Sequence, residues 1–309
     1  MEKEYESCTI CPRSCAVNRN RGETGFCGET ASLRLSWAGL HFGEEPPVTG
    51  KNGSGTIFVT GCNLRCNFCQ NFQISQEGMG APVSLSTFTR ICTALAEAGA
   101  ENLNIVTGSH TIPALATALR EARSCGVTLP VYWNSSAYET IEALELLQDV
   151  VTGWLPDLKT LNPLFSASVF QAKDYPSTAK KALLWMAHRN QRVIVRHLAL
   201  PGRKEDTRIV LDWFSRKLKG KALLSLMTQY TPVSAHPQNH ELTEFQNRLL
   251  TEQESKELVL LLDEYGIDNG FFQELVNDTE WLPDFIRTQP FSSSLARPVW
   301  HWKEGFIRS

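Results

Sequence analysis

The sequence predicts an α/β fold, an open, partial TIM-like barrel of about six parallel βα units with a small cysteine-rich metal-binding module before it. Three observations lead there. From about residue 55 onward, short apolar, β-branched runs alternate with stretches of helical periodicity. Parallel neighbours require crossover connections, so this alternation implies a parallel sheet, and about six units are too few to close an eight-stranded barrel. Polar residues also recur after each apolar run, at the end where parallel α/β sheets collect ligands.

Each element has its own signal. "GTIFVTG" is the first strand, a β-branched run between glycines. A helix follows, with Leu85, Phe88, Ile91 and Leu95 on one face, serines before it and Gly99 at its end. "NLNIVTGS" is the second strand. Pro113 then opens a helix whose Leu115, Ala118, Leu119 and Ala122 share a stripe ended by Gly126. "LPVYWNSS" is the third strand, before a helix around Glu139–Gln148. The pattern continues with strand "GWLPDLK", a helix near Ser177–Arg189, strand "RVIVRHLALPG", a helix around Thr207–Leu218 and strand "ALLSLMTQY". Three regions are expected: a cysteine-rich module and connecting loop at 1–50, the barrel core at 51–235, and a tail at 236–309. The tail holds one helix, Glu252–Tyr265, and irregular chain packing on the core.

Composition narrows the function. The 309 residues are enough to bury a substantial core. A net charge of −3 offers no basic footprint for nucleic acid. No apolar run approaches the roughly 18–20 residues of a membrane span. "MEKEYESCTICPRSC" lacks the apolar segment of a secretory signal, so a cytoplasmic protein without structural disulfides is expected.

The nine cysteines are clustered: Cys8, Cys11, Cys15 and Cys27 form one group, Cys62, Cys66 and Cys69 another, and Cys92 and Cys125 stand alone. In a reducing compartment clustered cysteines read first as metal ligands. The second group has the spacing C-x3-C-x2-C, directly after the first strand, with no fourth ligand nearby. A closed zinc site needs four ligands, so zinc here would require a distant one. A cubane iron–sulfur cluster on three thiolates would instead leave one iron open to a small molecule. Metal-free catalytic thiols are the remaining reading. The strand ends carry Thr107, Gly108, Ser109 and His110, then Asn134, Ser135 and Ser136, then Asp157 and Lys159, then Arg196 and His197, then Gln229 and Tyr230. Polar loops account for many of these. Arg196 inside "VIVRHLAL" is harder to dismiss, because burying an unpaired charge is costly.

The cysteine loop, with Phe68 before its last cysteine, resembles the cluster loop of the radical S-adenosylmethionine (SAM) superfamily. "HFGEEPPVTGKNGSGTIFVTGCNLRCNFCQNFQIS", "NLNIVTGSH", "LPDLK", "VRHLALPG" and "MTQYTP" together resemble its PflX-type branch, related to pyruvate formate-lyase-activating enzyme, over about residues 8–235. The resemblance implies a [4Fe–4S] cluster on Cys62, Cys66 and Cys69 with SAM on the fourth iron. Reductive cleavage would give a 5′-deoxyadenosyl radical that abstracts hydrogen. It also implies SAM contacts. Thr107 and Ser109 stand where a "GGEP"-like segment is usual, although "TGSH" departs from it; Asn134 and Ser136 follow strand three. Asp157 and Lys159 match the activating enzymes' "DLK", and Arg196 would face the SAM carboxylate. The implied partners are a flavodoxin- or ferredoxin-type reductant and a glycyl-radical enzyme or other protein substrate.

The first group, C-x2-C-x3-C-x11-C, is sufficient for a complete four-thiolate site of zinc or iron–sulfur type, a staple for a segment with little core of its own. His41, Glu44 and Glu45 would line the substrate opening or simply form a constrained turn. His110 and His197 are as readily packing or capping residues as catalytic ones, and Cys92 and Cys125 are simplest as small helix residues. The expected function is a radical SAM enzyme, as a glycyl-radical activase by resemblance. The alternatives are a radical SAM enzyme modifying another protein, peptide or metabolite, and a non-catalytic iron–sulfur electron carrier or redox sensor.

Overall fold

The computed structural model describes residues 3–189, 191–233, 245–275 and 281–307. In chain order the elements are β1 (Arg34–His41), α1 (Pro46–Thr49), β2 (Ser54–Val59), α2 (Phe72–Ser75), β3 (Ala81–Pro82), α3 (Leu85–Glu97), β4 (Leu103–Val106) and α4 (Ile112–Ser124). Next come β5 (Val131–Ser135), α5 (Ile141–Glu145), β6 (Gly153–Pro156), α6 (Pro163–Phe170), α7 (Tyr175–Ala187), β7 (Arg192–Leu198) and α8 (Lys204–Lys217). The last are β8 (Leu223–Met227), α9 (Glu252–Glu264), β9 (Gly270–Phe272), β10 (Ala296–His301) and β11 (Gly305–Phe306). The expected α/β class holds, with mostly parallel, open strand orders consistent with a partial barrel. Among the described residues no helix is long and apolar enough to cross a membrane.

The chain divides into two compact units. The first comprises Met1–Asn63, Asn71–Gly153 and Pro283–Ser309. Its strand order is β11-β10-β1-β2-β4-β5, with β2, β4 and β5 parallel and β1 antiparallel to both β2 and β10. Neither β1 nor β10 was expected from the periodicity. Both owe their existence to pairing partners distant in sequence, which local pattern does not contain. Gly39 marks a register shift in β1, and a Cβ there would lie 2.3 Å from the Arg297 carbonyl, so only glycine lets the two strands approach. The core gathers Trp37, Phe58, Ile74 and Val106 with Phe285, Phe291 and Ala296 from the C-terminal segment. The Phe58 and Phe285 rings meet edge to face at 5.1 Å.

The helices of this unit follow their sequence signals closely. Ser84 caps α3 by accepting the Thr87 N–H at 3.1 Å, and Phe88, Ile91 and Leu95 are buried beneath it, although Leu85 is exposed. Pro113 sits in the first turn of α4. The helix expected over 139–148 is shorter: Thr140 caps it by accepting the Ala143 N–H, leaving Glu139 outside the helix and buried.

The second unit comprises Leu64–Gln70 and Trp154–Leu282. Its order is β6-β7-β8-β9, and β7, β8 and β9 pair in parallel. The short β9 was not anticipated. Neither was α6, whose apolar residues show no helical stripe but whose start is fixed by Asn162, accepting the Leu164 and Phe165 N–H groups. Within this unit the Arg65 and Asn67 N–H groups donate to the Phe170 and Val169 carbonyls, at 3.3 and 3.1 Å, anchoring 64–70 beside the end of α6.

Candidate functional site

In the first unit the ends of β4 and β5 are tied together by one carboxylate. Glu139, fully buried, accepts from Ser109 Oγ at 2.8 Å, Trp133 Nε1 at 2.6 Å and Ser135 Oγ at 3.0 Å. Burial pushes its acidity down, raising its pKa despite these three donors. Thr107 takes a left-handed conformation (φ 64°), unusual for a β-branched residue, and its N–H donates to the Asn134 carbonyl. Thr107, Asn134 and Ser136 remain half-buried at these strand ends. Ser109 differs: it is buried, and its hydroxyl proton is committed to Glu139.

The backbone before Cys62 is held from the same side. His110 Nε2 hydrogen-bonds the Thr60 carbonyl at 2.8 Å, which makes Nε2 the protonated nitrogen. Burial and the neighbouring Arg19 guanidinium hold the imidazole neutral, with its pKa lowered to about 3. Gly61 has φ 85°, and a Cβ there would press on Glu29 and His110. Asn63 donates to the Tyr138 carbonyl at 2.7 Å and accepts Arg13 Nε on its own carbonyl at 2.8 Å.

In the second unit, Lys159 Nζ bonds Asp157 Oδ2 at 2.6 Å. Burial works against the ammonium, but Asp157 and then the Cys66 thiol hold the Lys159 pKa above its ordinary value. Tyr175 braces the same turn: its hydroxyl donates to the Asp157 carbonyl at 2.9 Å and accepts the Lys159 N–H at 2.9 Å. Burial raises the Tyr175 pKa, keeping the phenol protonated. Asp157 also forms a parallel bridge with the buried Arg196. His197 is accounted for by structure alone, with Nδ1 on the Leu158 carbonyl and Nε2 on Thr207 Oγ1. Phe68 packs edge to face against Phe170, Tyr230 and Phe245.

Cys62, Cys66 and Cys69 form no disulfide and are half-buried, and the Cys69 N–H donates to the Cys66 carbonyl at 3.2 Å in a tight turn. Among the described residues no three His, Cys, Asp or Glu side chains are gathered so as to hold a single metal ion. Three cysteine thiols are the donor type that iron–sulfur clusters take. The N-terminal thiols form no disulfide either, and burial raises those of Cys11, to about 11, and Cys27. Cys92 is buried in α3 and Cys125 is exposed after α4.

The model of the radical SAM superfamily matches residues 56–214. The chain belongs to the radical SAM superfamily. The uncharacterized protein MJ0674 of Methanocaldococcus jannaschii is 31% identical over 272 residues, covering 85% of this chain and 76% of that protein. The same fold is found in Streptococcus suis SuiB, solved with its precursor peptide SuiA (TM-score 0.52, 14% identity) and with S-adenosylmethionine (TM-score 0.51, 13% identity). These matches cover 70% and 69% of this chain, which spans about half the length of SuiB. As a radical SAM enzyme, the protein cleaves SAM at an iron–sulfur cluster, and the family implies a [4Fe–4S] centre.

Sequence reasoning missed Glu139, Asn63 and Tyr175. Glu139 carried no signal beyond its place after a polar strand end. Tyr175 is apolar by composition, and its role lies wholly in a hydroxyl that finds one turn of backbone. Asn63 stood beside Cys62 in plain sight, within the quoted loop.

Proposed function

We propose that Cys62, Cys66 and Cys69 hold the [4Fe–4S] cluster and that Thr107, Asn134, Ser136, Asp157, Lys159 and Arg196 contact SAM. The observation that carries this reading is the spacing of the three cysteines, C-x3-C-x2-C, directly after β2 in the region that matches the family. When bound, the reduced cluster and SAM together supply a 5′-deoxyadenosyl radical for hydrogen abstraction. The chain's own part is to bind and orient. Lys159, paired with Asp157 and braced by Tyr175, offers a fixed ammonium to a carboxylate. Arg196 offers a planar guanidinium for the same purpose. Glu139 fixes the hydroxyls of Ser109 and Ser135, so Ser109 serves through the carboxylate that holds it.

The substrate reading is that of an activase, taking a hydrogen atom from a glycine of a partner enzyme. The pyruvate formate-lyase-activating resemblance of the "DLK" and cysteine segments supports it; peptide modification, as the SuiB–SuiA complex suggests for that protein, is its rival. A flavodoxin- or ferredoxin-type protein would donate the electron. The test is anaerobic reconstitution with iron and sulfide, then SAM and dithionite. Formation of 5′-deoxyadenosine and methionine, abolished in Cys62→Ala, is expected; an undiminished yield in that variant overturns the ligand assignment. Deuterium transfer from a glycine-labelled partner into 5′-deoxyadenosine establishes the activase, and its absence with a competent partner removes it.

A further inference from the structure

Cys62 stands between two backbone carbonyls that side chains distant in sequence hold from outside. Before it, the Thr60 carbonyl accepts the Nε2–H of His110 at 2.8 Å. After it, the Asn63 carbonyl accepts Arg13 Nε–H at 2.8 Å. The Asn63 side chain extends the same grip by donating to the Tyr138 carbonyl at 2.7 Å. Gly61 turns between them with φ 85°, and a Cβ there would press on Glu29 and lie 3.1 Å from the Cys27 carbonyl. The cysteine-rich module thus meets the chain on both sides of Cys62, and every one of these residues belongs to the first unit.

The donors are themselves fixed. The His110 carbonyl accepts the Arg19 guanidinium at 2.5 Å, and the hydroxyls of Thr111 and Tyr5 share a hydrogen bond at 3.1 Å. Arg19 also donates to the Thr30 carbonyl at 2.6 and 3.1 Å. The Arg13 guanidinium lies 3.6 Å from the Phe26 ring centroid and 5.4 Å from that of Tyr138, so one aromatic of the module and one beyond β5 both restrain it. His110 shows that this is more than packing. Its ring is buried, and Nδ1 has no hydrogen-bond partner among the described residues. A buried acceptor left unpaired costs stability, a cost that an apolar side chain would not incur. What the imidazole supplies in return is the Nε2–H on the Thr60 carbonyl.

We propose that Arg13 and His110 are positioning residues for the SAM-binding cluster: they clamp the carbonyls on either side of Cys62 and so fix the thiolate that holds the cluster, with Arg19 tying His110 to the N-terminal module. That module then serves the catalytic centre through these contacts, whichever metal its own cysteines take. The inference rests on the assignment of Cys62 as a cluster ligand.

The test uses the full chain, reconstituted anaerobically with iron and sulfide and reduced with dithionite. The readout is the part of the electron paramagnetic resonance signal that added SAM alters, which reports the SAM-binding cluster alone, and its rate of decay under a ferrous chelator well below the unfolding temperature. His110→Asn, whose amide stops where Nδ1 stands, should lose this signal about 10- to 100-fold faster, the usual effect of removing a group that orients a metal ligand. His110→Gln, whose amide nitrogen reaches the place of Nε2, should restore the wild-type rate. Arg13→Met keeps the stem, loses the donor and should speed the loss in the same direction; being only partly buried, this position stays testable if His110→Asn does not fold. Leu95→Ala controls for stability. Leu95 is buried beside Gly55, at the far end of β2 from Cys62, so this variant should lower the melting temperature without hastening the decay. Equal rates in His110→Asn and His110→Gln, or a decay in Leu95→Ala as fast as in His110→Asn, overturn the positioning role. An unchanged rate in Arg13→Met overturns the part assigned to Arg13. The underlying assignment fails separately: the SAM-responsive signal would then persist in Cys62→Ala.

Discussion

At the scale of single residues, the strand ends of the first unit depend on one carboxylate with no cationic partner. Glu139→Leu leaves the Ser109, Trp133 and Ser135 donors unanswered in a buried site and should cost about 3 kcal/mol or more. Glu139→Gln keeps an oxygen for Ser109 and Trp133, and its amide can donate to the Ser135 hydroxyl, so it should cost far less. Urea unfolding of the pair checks this, and a common loss would show that charge rather than hydrogen bonding is what matters. Thr107 is a second case: its left-handed φ of 64° carries a penalty that glycine does not. Thr107→Gly should raise stability by up to about 1 kcal/mol while weakening SAM binding, read as a higher dissociation constant by calorimetry. The cysteines were legible in the sequence because their spacing is their chemistry. Glu139 and Arg19 were not, because their meaning lies in what folding brings beside them.

At the scale of elements, α9 opens with a capping box in which Thr251 and Glu254 exchange hydrogen bonds. The Arg248 guanidinium holds the Glu254 pKa down to about 2, from an ordinary 4.5, with the Thr251 and Gly202 N–H groups adding to the effect. A carboxyl depressed in this way stabilises the fold fully above its unfolded value and loses that contribution as pH falls from about 4.5 toward 2. Both side chains are partly in solvent, so the pair is worth about 1 kcal/mol or less. Glu254→Gln keeps the cap and removes the charge. The stability gap between wild type and this variant should therefore narrow on going from pH 7 to pH 3, and a constant gap would exclude the ion pair as its source. The helices α3, α4, α8 and α9 and the six parallel strands were readable from periodicity, because each displays its own stripe or run. Strands β1, β9 and β10 were not readable, since their stability comes from partners far along the chain.

At the scale of the whole molecule, the C-terminal segment supplies much of the first unit's core. Phe285→Ala should cost about 3–5 kcal/mol, since it empties a buried aromatic site against Phe58 and Phe291. Thermal unfolding, with near-ultraviolet dichroism to report the aromatic packing, checks it; a change below about 1 kcal/mol would mean the site collapses freely. The expected α/β class and the superfamily were legible because strand alternation and cysteine spacing are local. The route by which the tail returns was not. Trp37 donates its indole N–H to the Thr288 carbonyl across 251 positions of chain, and β1 pairs with β10. During synthesis, at about 5–20 residues per second, β1 and β2 leave the ribosome long before the segment that finishes their core. For those many seconds the nascent chain carries every one of its clustered thiols while the core around Trp37 and Phe58 still lacks Phe285 and Phe291. The core around Phe58 is therefore finished only once β10 has paired with β1 and brought Phe285 and Phe291 against it.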